Sequence, residues 1–306
     1  MATISTSTGA FFERARVSMK DLRSQAESLQ SQLSSGQKLS RSSDDPVAAS
    51  RLRTLSRLEK LTNIDASNAQ RADADLTLAD AALGDMAKAV IRMQELATQA
   101  ASGTLTEDQR SALGKEVESI YSTLVSLANS RDSNGHALFG GESAGDAYTV
   151  DASGNAAYAG TATSGDLSLG DGQTVTRSLT GPEFLEFSVN GTPTDLLGVV
   201  KDLASALQGG VADPAGAARD ALGSLKAGLD TLTTAQTVIG TRLSWIDLTS
   251  ERRTNVGELR STEEANLGAT DITSTIATLQ ETMLVLQASQ ASFTKLSNLS
   301  LFNQLS

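Results

Sequence analysis

Long apolar seams constrain this chain more than any other feature of its sequence. Apolar residues recur at alternating steps of three and four, which is typical of helices that bury one narrow stripe against a partner helix. A lone helix of this kind would leave its stripe in water, so each long seam needs a partner along its length. The two long seams are Leu76, Ala79, Leu83, Met86, Val90, Met93, Ala97 and Ala100, and Ala218, Leu222, Leu225, Leu229, Leu232, Gln236, Ile239, Leu243 and Ile246.

We expect the two long seams to form the core of a single body. The predicted fold is mainly α: an elongated antiparallel helical rod or coiled coil built from both chain arms, with a small β-rich inserted domain. The predicted domains are an N-terminal assembly helix (1–40), an N-terminal arm (41–138), a variable insert (139–194), a C-terminal arm (195–265) and a C-terminal assembly helix (266–306).

Two shorter seams lie at the ends of the chain. Beyond residue 265 the only charged side chains are Asp271, Glu281 and Lys295. A helix so poor in charge is badly solvated as a surface helix and too polar for lipid, so it predicts burial by other helices on several sides. We expect these ends to pack within and between subunits. The predicted assembly interface is Met19, Leu22, Leu29, Leu33, Ile272, Ile276, Leu279, Met283, Leu286 and Phe293.

Helix starts and stops follow from capping residues. A Ser/Thr-rich leader ending at Gly9 precedes the first predicted helix, which ends at Ser34–Gly36. Asp45 followed by Pro46 predicts the second start, and Thr106 with acidic residues after it predicts the third. We expect the third helix to end near Asn134 and Gly135.

The middle of the chain changes in composition. Glycine is frequent between residues 139 and 194, and turn residues separate short β-prone runs. The predicted strands are 148–150, 174–179 and 184–189, with turns at 151–155, 170–172 and 190–191. Helix is predicted again over 195–207, and Asp213–Pro214 opens the last long arm.

Composition excludes several kinds of partner. The net charge is -11 and the sequence contains no cysteine. An acidic chain offers no basic patch for nucleic acid or an anionic membrane. The absence of cysteine removes disulfides, thiolate catalysis and most zinc sites. The first twenty residues lack the apolar run of a Sec signal, and no stretch is long and apolar enough to span a membrane.

Candidate catalytic groups are sparse. His136 is the only histidine, and it follows an Asn-Gly pair that predicts a turn. Asp44 and Asp45 could form a carboxylate pair, but Pro46 favours a helix start instead. Residues 151–155 lack the spacing of a calcium loop. We therefore predict no catalytic, cofactor-binding or metal-binding residues, no cofactor and no enzymatic activity.

Several segments resemble the flagellin-like family, most closely its hook–filament junction members. They are residues 32–38 (QLSSGQK), 43–50 (SDDPVAAS), 127–130 (LANS), 134–141 (NGHALFGG), 286–293 (LQASQASF) and 299–302 (LSLF). The resemblance implies a secreted structural subunit of the flagellum, exported by the flagellar type III apparatus with an uncleaved signal. It also implies terminal helices that are disordered in the free subunit and form a coiled-coil tube on assembly.

The same resemblance implies the partners. They are further copies of the chain in a helical ring, a junction protein on the hook side, flagellin on the filament side, and an export chaperone at the C-terminal helix. Two alternatives stay open at this point: a flagellin that forms the filament, and a stalk-mounted module that binds a surface ligand through the insert.

Overall fold

The computed structural model describes residues 2–39 and 41–305, and the side chains of residues 9–39 and 41–296. Seven helices and six short strands follow one another along this part of the chain. The helices are α1 (Ala2–Ser35), α2 (Pro46–Ala100), α3 (Glu107–Ala128), α4 (Gly181–Leu185), α5 (Leu196–Ser205), α6 (Pro214–Gly268) and α7 (Ile272–Leu305). The strands are β1 (Tyr148–Val150), β2 (Ala156–Tyr158), β3 (Asp166–Gly170), β4 (Gln173–Thr176), β5 (Glu186–Val189) and β6 (Thr192–Asp195).

The chain divides into two compact units. Unit 1 comprises Met1–Lys60 and Asn255–Ser306, and unit 2 comprises Leu61–Thr254. The long helices α2 and α6 each contribute to both units. The expectation of a mainly helical fold with long helices from both arms and a small inserted region of antiparallel strands is confirmed.

The predicted α2 seam is the centre of unit 2. All eight of its residues, from Leu76 to Ala100, are fully buried. On α6 the buried line runs through Ala218, Leu225, Leu232, Ile239 and Ile246, as predicted, while the other predicted seam positions are half-buried. Each turn of these helices therefore contributes apolar area to one core, which stabilises the unit by the usual removal of that area from water.

Helices α2 and α6 run antiparallel within unit 2. Asn68 of α2 and Arg253 of α6 both donate to backbone carbonyls of β3, at 3.1 and 2.8 Å. Farther along, Gly84 of α2 lies against the side chain of Gln236 of α6. The N-terminal half of α2 thus lies near the C-terminal half of α6. This is the antiparallel direction that the sequence predicts for the pairing of the two seams.

Helix α3 begins where the sequence predicts and ends earlier. The hydroxyl of Thr106 accepts from the backbone N–H of Gln109, whose side chain accepts from the N–H of Thr106 in return. The helix ends at Ala128, not near Asn134 and Gly135. The reason is Asn129, whose side chain both donates to and accepts from the backbone of Tyr148, at 2.8 Å each. Asn129 so ties the helix end to the first strand.

The insert consists of three antiparallel hairpins, β1–β2, β3–β4 and β5–β6. Strand β1 and the turns after it and before β6 are as predicted, whereas β2, β3 and β6 lie outside the predicted runs. Phe139, Leu169, Val175 and Phe184 of the insert belong to the same buried cluster as the α2 seam. A two-stranded hairpin on its own is only marginally stable in water, so the three hairpins depend on this shared core for their stability.

Two predicted strands are shorter in the structure. The run 184–189 gives a strand only from Glu186, because Gly181–Leu185 forms the short helix α4. Its start is fixed by Glu183, whose carboxylate accepts from both the N–H and the hydroxyl of Thr180. The run 174–179 gives a strand only to Thr176. The next residue, Arg177, donates a hydrogen bond to Asp75 of α2.

Arg177 clamps the insert onto the helices. Its Nε donates to Asp75 of α2 at 2.7 Å, and its Nη2 donates to Asp132 in the segment after α3. The Asp75 and Asp132 side chains are almost fully buried. Two buried carboxylates need a cation to remain charged at low cost, so one arginine fixes three segments together.

Capping residues also set the helices that follow the insert. Asp195 accepts from the N–H of Gly198 at 2.8 Å and starts α5. Asp213 accepts from the N–H of Gly216 at 2.8 Å and starts α6 at Pro214, as predicted. Between them, α5 ends in a wider turn over residues 206–210, in which Gly209 has a φ of 97° that favours glycine.

Unit 1 contains the two terminal helices. Helix α1 starts at Ala2, so the predicted leader up to Gly9 is wrong: one glycine in a helix costs only about 1 kcal/mol and does not end it. The predicted end is confirmed, because Gly36 has a φ of 70° and its N–H donates to Gln32 at 2.8 Å. Ser40, at the boundary of the predicted first domain, lies outside the described residues.

The clamp predicts unequal costs for two arginines. Arg177→Ala leaves Asp75 and Asp132 buried without their cation, and we expect it to lower the free energy of unfolding of unit 2 by about 3–5 kcal/mol. Arg92→Ala removes exposed pairs with Glu95 and Glu116, and we expect a much smaller loss, because water screens exposed ion pairs. Urea unfolding followed by the fluorescence of the single tryptophan, Trp245, measures both. Equal losses would contradict the clamp.

Candidate assembly interface

Helix α1 presents one apolar line. Its partly buried residues recur at steps of three and four and include all four N-terminal residues of the predicted interface. This line faces α7, the helix with which α1 makes its extensive contacts. Its members are Phe12, Ala15, Met19, Leu22, Ala26, Leu29 and Leu33.

Helix α7 meets α1 through a line that alternates leucine with small polar residues. Thr275 and Thr282 are buried, and the Thr282 hydroxyl donates to the carbonyl of Thr278 at 2.8 Å, which lets it face an apolar neighbour. At the far end the ring of Phe293 packs edge-on against Phe12, with centroids 5.3 Å apart. The line as a whole is Thr275, Leu279, Thr282, Leu286, Ser289 and Phe293.

The predicted α7 residues therefore divide into two groups. Leu279, Leu286 and Phe293 lie on the line toward α1 and are half-buried. The other three are exposed by 59%, 41% and 48%; they are Ile272, Ile276 and Met283. Their spacing places them on a second stripe of α7, beside the line toward α1.

Further apolar side chains of α7 are exposed on other sides. Val285 and Leu296 lie on the opposite flank of the α1-facing line, and Leu284 lies on the far side of the helix, 68% exposed. Helix α7 holds only two charged side chains, Glu281 and Lys295, to compensate for these apolar groups. Sequence reasoning missed this division because it treated all α7 leucines, isoleucines and methionines as one seam. Their angular positions on a helix could have separated the two stripes.

Backbone bonds fix the point at which the terminal helices begin and end. Lys38 N–H donates to the carbonyl of Gly268 at 2.7 Å, and Thr270 N–H donates to that of Gly36 at 3.0 Å. Asp271 then starts α7 by accepting from the N–H groups of Thr273 and Ser274 at 3.0 and 3.3 Å. The end of α1 and the start of α7 are thus held side by side, which sets the register of their pairing.

An ion pair supports the same end of unit 1. Arg51 of α2 donates two hydrogen bonds to the carboxylate of Glu263 of α6, at 2.6 and 2.8 Å. These bonds lower the pKa of Glu263 and raise the pKa of Arg51. The bidentate hydrogen bonding of Arg51 fixes the geometry of this ion pair. Because the pair is exposed, its contribution to stability is small.

Unit 2 contains a cavity of about 370 Å³, whose lining includes Asp75, Asp132, Arg177, His136 and Glu142. Asp132 is the most constrained group there. Burial alone would raise its pKa, but the N–H groups of His136 and Asn134, each 2.8 Å away, and Arg177 outweigh it, so the pKa is lowered. A carboxylate held charged by so many donors is a poor proton acceptor, and its role is to shape the turn.

The other groups weighed from the sequence have structural roles as well. Asp45 caps α2 by accepting from the N–H groups of Val47 and Ala48, at 3.1 and 3.0 Å. Asp151 accepts from Ser153 and Asn155 and forms a turn. Within the described residues, no three histidine, cysteine, aspartate or glutamate side chains are placed to hold a metal ion.

Comparison with known proteins gives a consistent result. The model of the bacterial flagellin N-terminal helical region matches residues 7–144. Flagellar hook-associated protein 3 of Escherichia coli is 28% identical over 287 residues, which cover 89% of this chain and 90% of that protein. Flagellar hook-associated protein 3 of Salmonella typhimurium is 28% identical over 297 residues, which cover 91% and 93%.

Solved structures show the same fold. The flagellar junction protein FlgL of Legionella pneumophila superimposes with a TM-score of 0.59 at 14% identity, over 71% of this chain and 99% of that chain. No helix in the described ranges has a stretch of the length and hydropathy that would carry it across a membrane.

Asp132 predicts how acid affects unit 2. Its pKa is lower in the folded state than the ordinary value of about 3.9 in the unfolded state, so its contribution to stability is complete above that value and is lost as the pH falls through the folded pKa. We expect Asp132→Asn to be less stable than the wild type at neutral pH and to lose less stability between about pH 4 and about pH 2.

Urea midpoints from Trp245 fluorescence across this range would measure the effect. Asp85→Asn is the control, because it removes an exposed carboxylate paired with Lys88, and we expect its acid dependence to follow the wild type. An Asp132→Asn variant that also follows the wild type would contradict the stated role of Asp132.

Proposed function

We propose that this chain is a flagellin-like structural subunit of the extracellular bacterial flagellum at the junction of hook and filament, and that it assembles there through α1 and α7. One observation carries the proposal: Ile272, Ile276 and Met283 form an exposed apolar stripe next to the line that α1 covers. Neighbouring subunits would cover that stripe. The mechanism is packing, and the protein is not an enzyme.

The junction role accounts for the chain better than the two alternatives. The relatives that match along about nine-tenths of both chains are hook-associated proteins 3, which favours this role over that of a flagellin. A stalk-mounted binding module would need an insert that folds as a body of its own. The insert instead shares its buried residues with α2, α5 and α6, so it is built as a part of unit 2.

The energetics of the terminal helices support assembly-coupled folding. Fixing each residue of a helix costs about 1–2 kcal/mol of conformational entropy, and α1 and α7 are each 34 residues long. Their mutual line is only half-buried at most positions and includes two threonines. Burial of the exposed apolar residues of α7 against other subunits would offset the remaining cost. The order of the terminal helices would therefore depend on assembly.

The proposed partners are those that the family resemblance implies. Further copies of the chain in a ring would cover the exposed apolar residues of α7. The ring would contact the hook-side junction protein on one face and flagellin on the other. Before assembly, an export chaperone would cover α7, because its exposed apolar groups are an aggregation hazard in a free subunit. Export through the flagellar apparatus would deliver the chain in that form.

Charge placed on the exposed stripe tests the proposal. We expect Ile276→Asp with Met283→Asp to abolish incorporation at the hook tip, because two buried carboxylates without partners cost several kcal/mol. Both side chains are exposed in the free chain, so unit 2 should keep its thermal unfolding midpoint. Electron microscopy and immunolabelling of hooks from cells that make only the variant measure incorporation.

Two further variants complete the test. Leu279→Asp with Leu286→Asp disrupts the line toward α1 and should also abolish incorporation. Ala288→Asp adds a negative charge to a side of α7 that belongs neither to the line toward α1 nor to the stripe of Ile272, Ile276 and Met283. We expect this variant to incorporate within about twofold of the wild type. Normal incorporation of the Ile276 and Met283 double variant would reject the stripe as an assembly surface.

A further inference from the structure

A second exposed seam runs along α6 in unit 2. Thr234, Val238, Thr241, Trp245 and Leu248 follow one another at steps of four, three, four and three, and all five side chains are exposed. We call these five residues the neutral face. They lie on a different side of α6 from the buried line, and they include the single tryptophan of the chain, which is 40% exposed, and Leu248, which is 58% exposed.

Charge is absent from most of this face. Charged residues make up 20% of the chain, but residues 231–246, which hold all of the face except Leu248, contain only Arg242. Leu248 lies beyond this stretch, with Glu251 and Arg252 at helical spacing from it. Arg242 is half-buried and donates to the carbonyl of Ser178 at 3.1 Å, so it belongs to the inner side of the helix. Roughly four turns of helix without an outward charge are unusual for a solvated surface. Depletion of charge together with an exposed aromatic ring is typical of the centre of an interface.

The hydroxyl groups of this surface are already satisfied. Thr234, Thr237, Thr241 and Ser244 each donate to the backbone carbonyl four residues earlier, at 2.9–3.0 Å. Their donor protons therefore do not need a hydrogen bond from water. Covering such a surface costs little desolvation, whereas covering unpaired hydroxyls would cost more.

Ile91, another exposed apolar residue of unit 2, lacks these properties. Ile91 of α2 is 46% exposed, which is similar to Trp245. At helical spacing it lies between Lys88 and Glu95, two charged side chains. An isolated apolar residue among charges is ordinary surface and needs no partner. Ile91 is therefore a matched control position for Trp245 and its neighbours.

From these observations we infer that the neutral face packs against a second copy of this chain. This inference rests on the proposed function and extends it from the terminal helices to unit 2. Each copy carries a net charge of -11, so two copies repel one another over most of their surface. A neutral helical face removes that repulsion locally, and its heptad spacing accepts side chains of a second helix between its own. A strongly basic partner would instead favour an acidic face.

Cysteine protection can test the face, because the chain has no cysteine of its own. Thr241→Cys places a unique thiol on the neutral face, and Ile91→Cys places one at the control position. Each full-length variant is labelled with a maleimide as the free chain and in hook–filament particles isolated from cells that make it as their only copy. We expect the thiol of the Thr241→Cys variant to react at least about tenfold more slowly in the particles, and that of the Ile91→Cys variant to change by less than about threefold.

A thiol-to-amine crosslinker on the Thr241→Cys variant identifies the occupant. We expect mass spectrometry to find the crosslinked peptide on a second copy of this chain. An unchanged labelling rate in particles that contain the chain, or a crosslink only to a different protein, would overturn the inference while the junction role stands. Particles without the chain would contradict the proposed function itself, and the inference with it.

Discussion

The pairing of α1 with α7 covers only one line of α7, and the proposed assembly depends on that limit. Leu279, Leu286 and Phe293 find a partner within the chain, whereas Ile276 and Met283 do not. Because the exposed groups lie beside the covered line, a neighbouring subunit can extend the same packing without rearranging it. A helix that was apolar on one line only would have been complete as a monomer, and a fully charged outer face would have prevented association.

Unit 2 differs from the terminal helices, because its core is buried within a single chain. The α2 seam is buried along its whole length, and the insert buries Phe139 and Phe184 in the same cluster. Arg177 locks the insert to α2 through two buried carboxylates. A subunit that must pass from a free form to a built structure benefits from this division, since the folded unit persists while the chain ends change their surroundings.

The sequence predicts what spacing and capping control. The α2 seam and the starts at Asp45, Thr106 and Asp213 are all correct, because local hydrogen bonds and periodicity determine them. Long-range contacts set what it missed. Asn129 ends α3 by pairing with Tyr148, and Glu183 turns the start of a β-prone run into a helix. In the proposed assembly interface, the sequence identifies the apolar residues of α7, and their angular positions on a helix separate two stripes, but the sequence does not show which of these stripes α1 covers.

Amide hydrogen exchange of α1 and α7, in the free full-length chain and in isolated hook–filament particles, tests the central claim most directly. The account predicts fast exchange for both terminal helices in the free chain and slow exchange in the particles, with α2 residues 76–100 slow in both. Terminal helices that exchange as slowly in the free monomer as in the particles would contradict it, because the chain ends would then be complete without their neighbours.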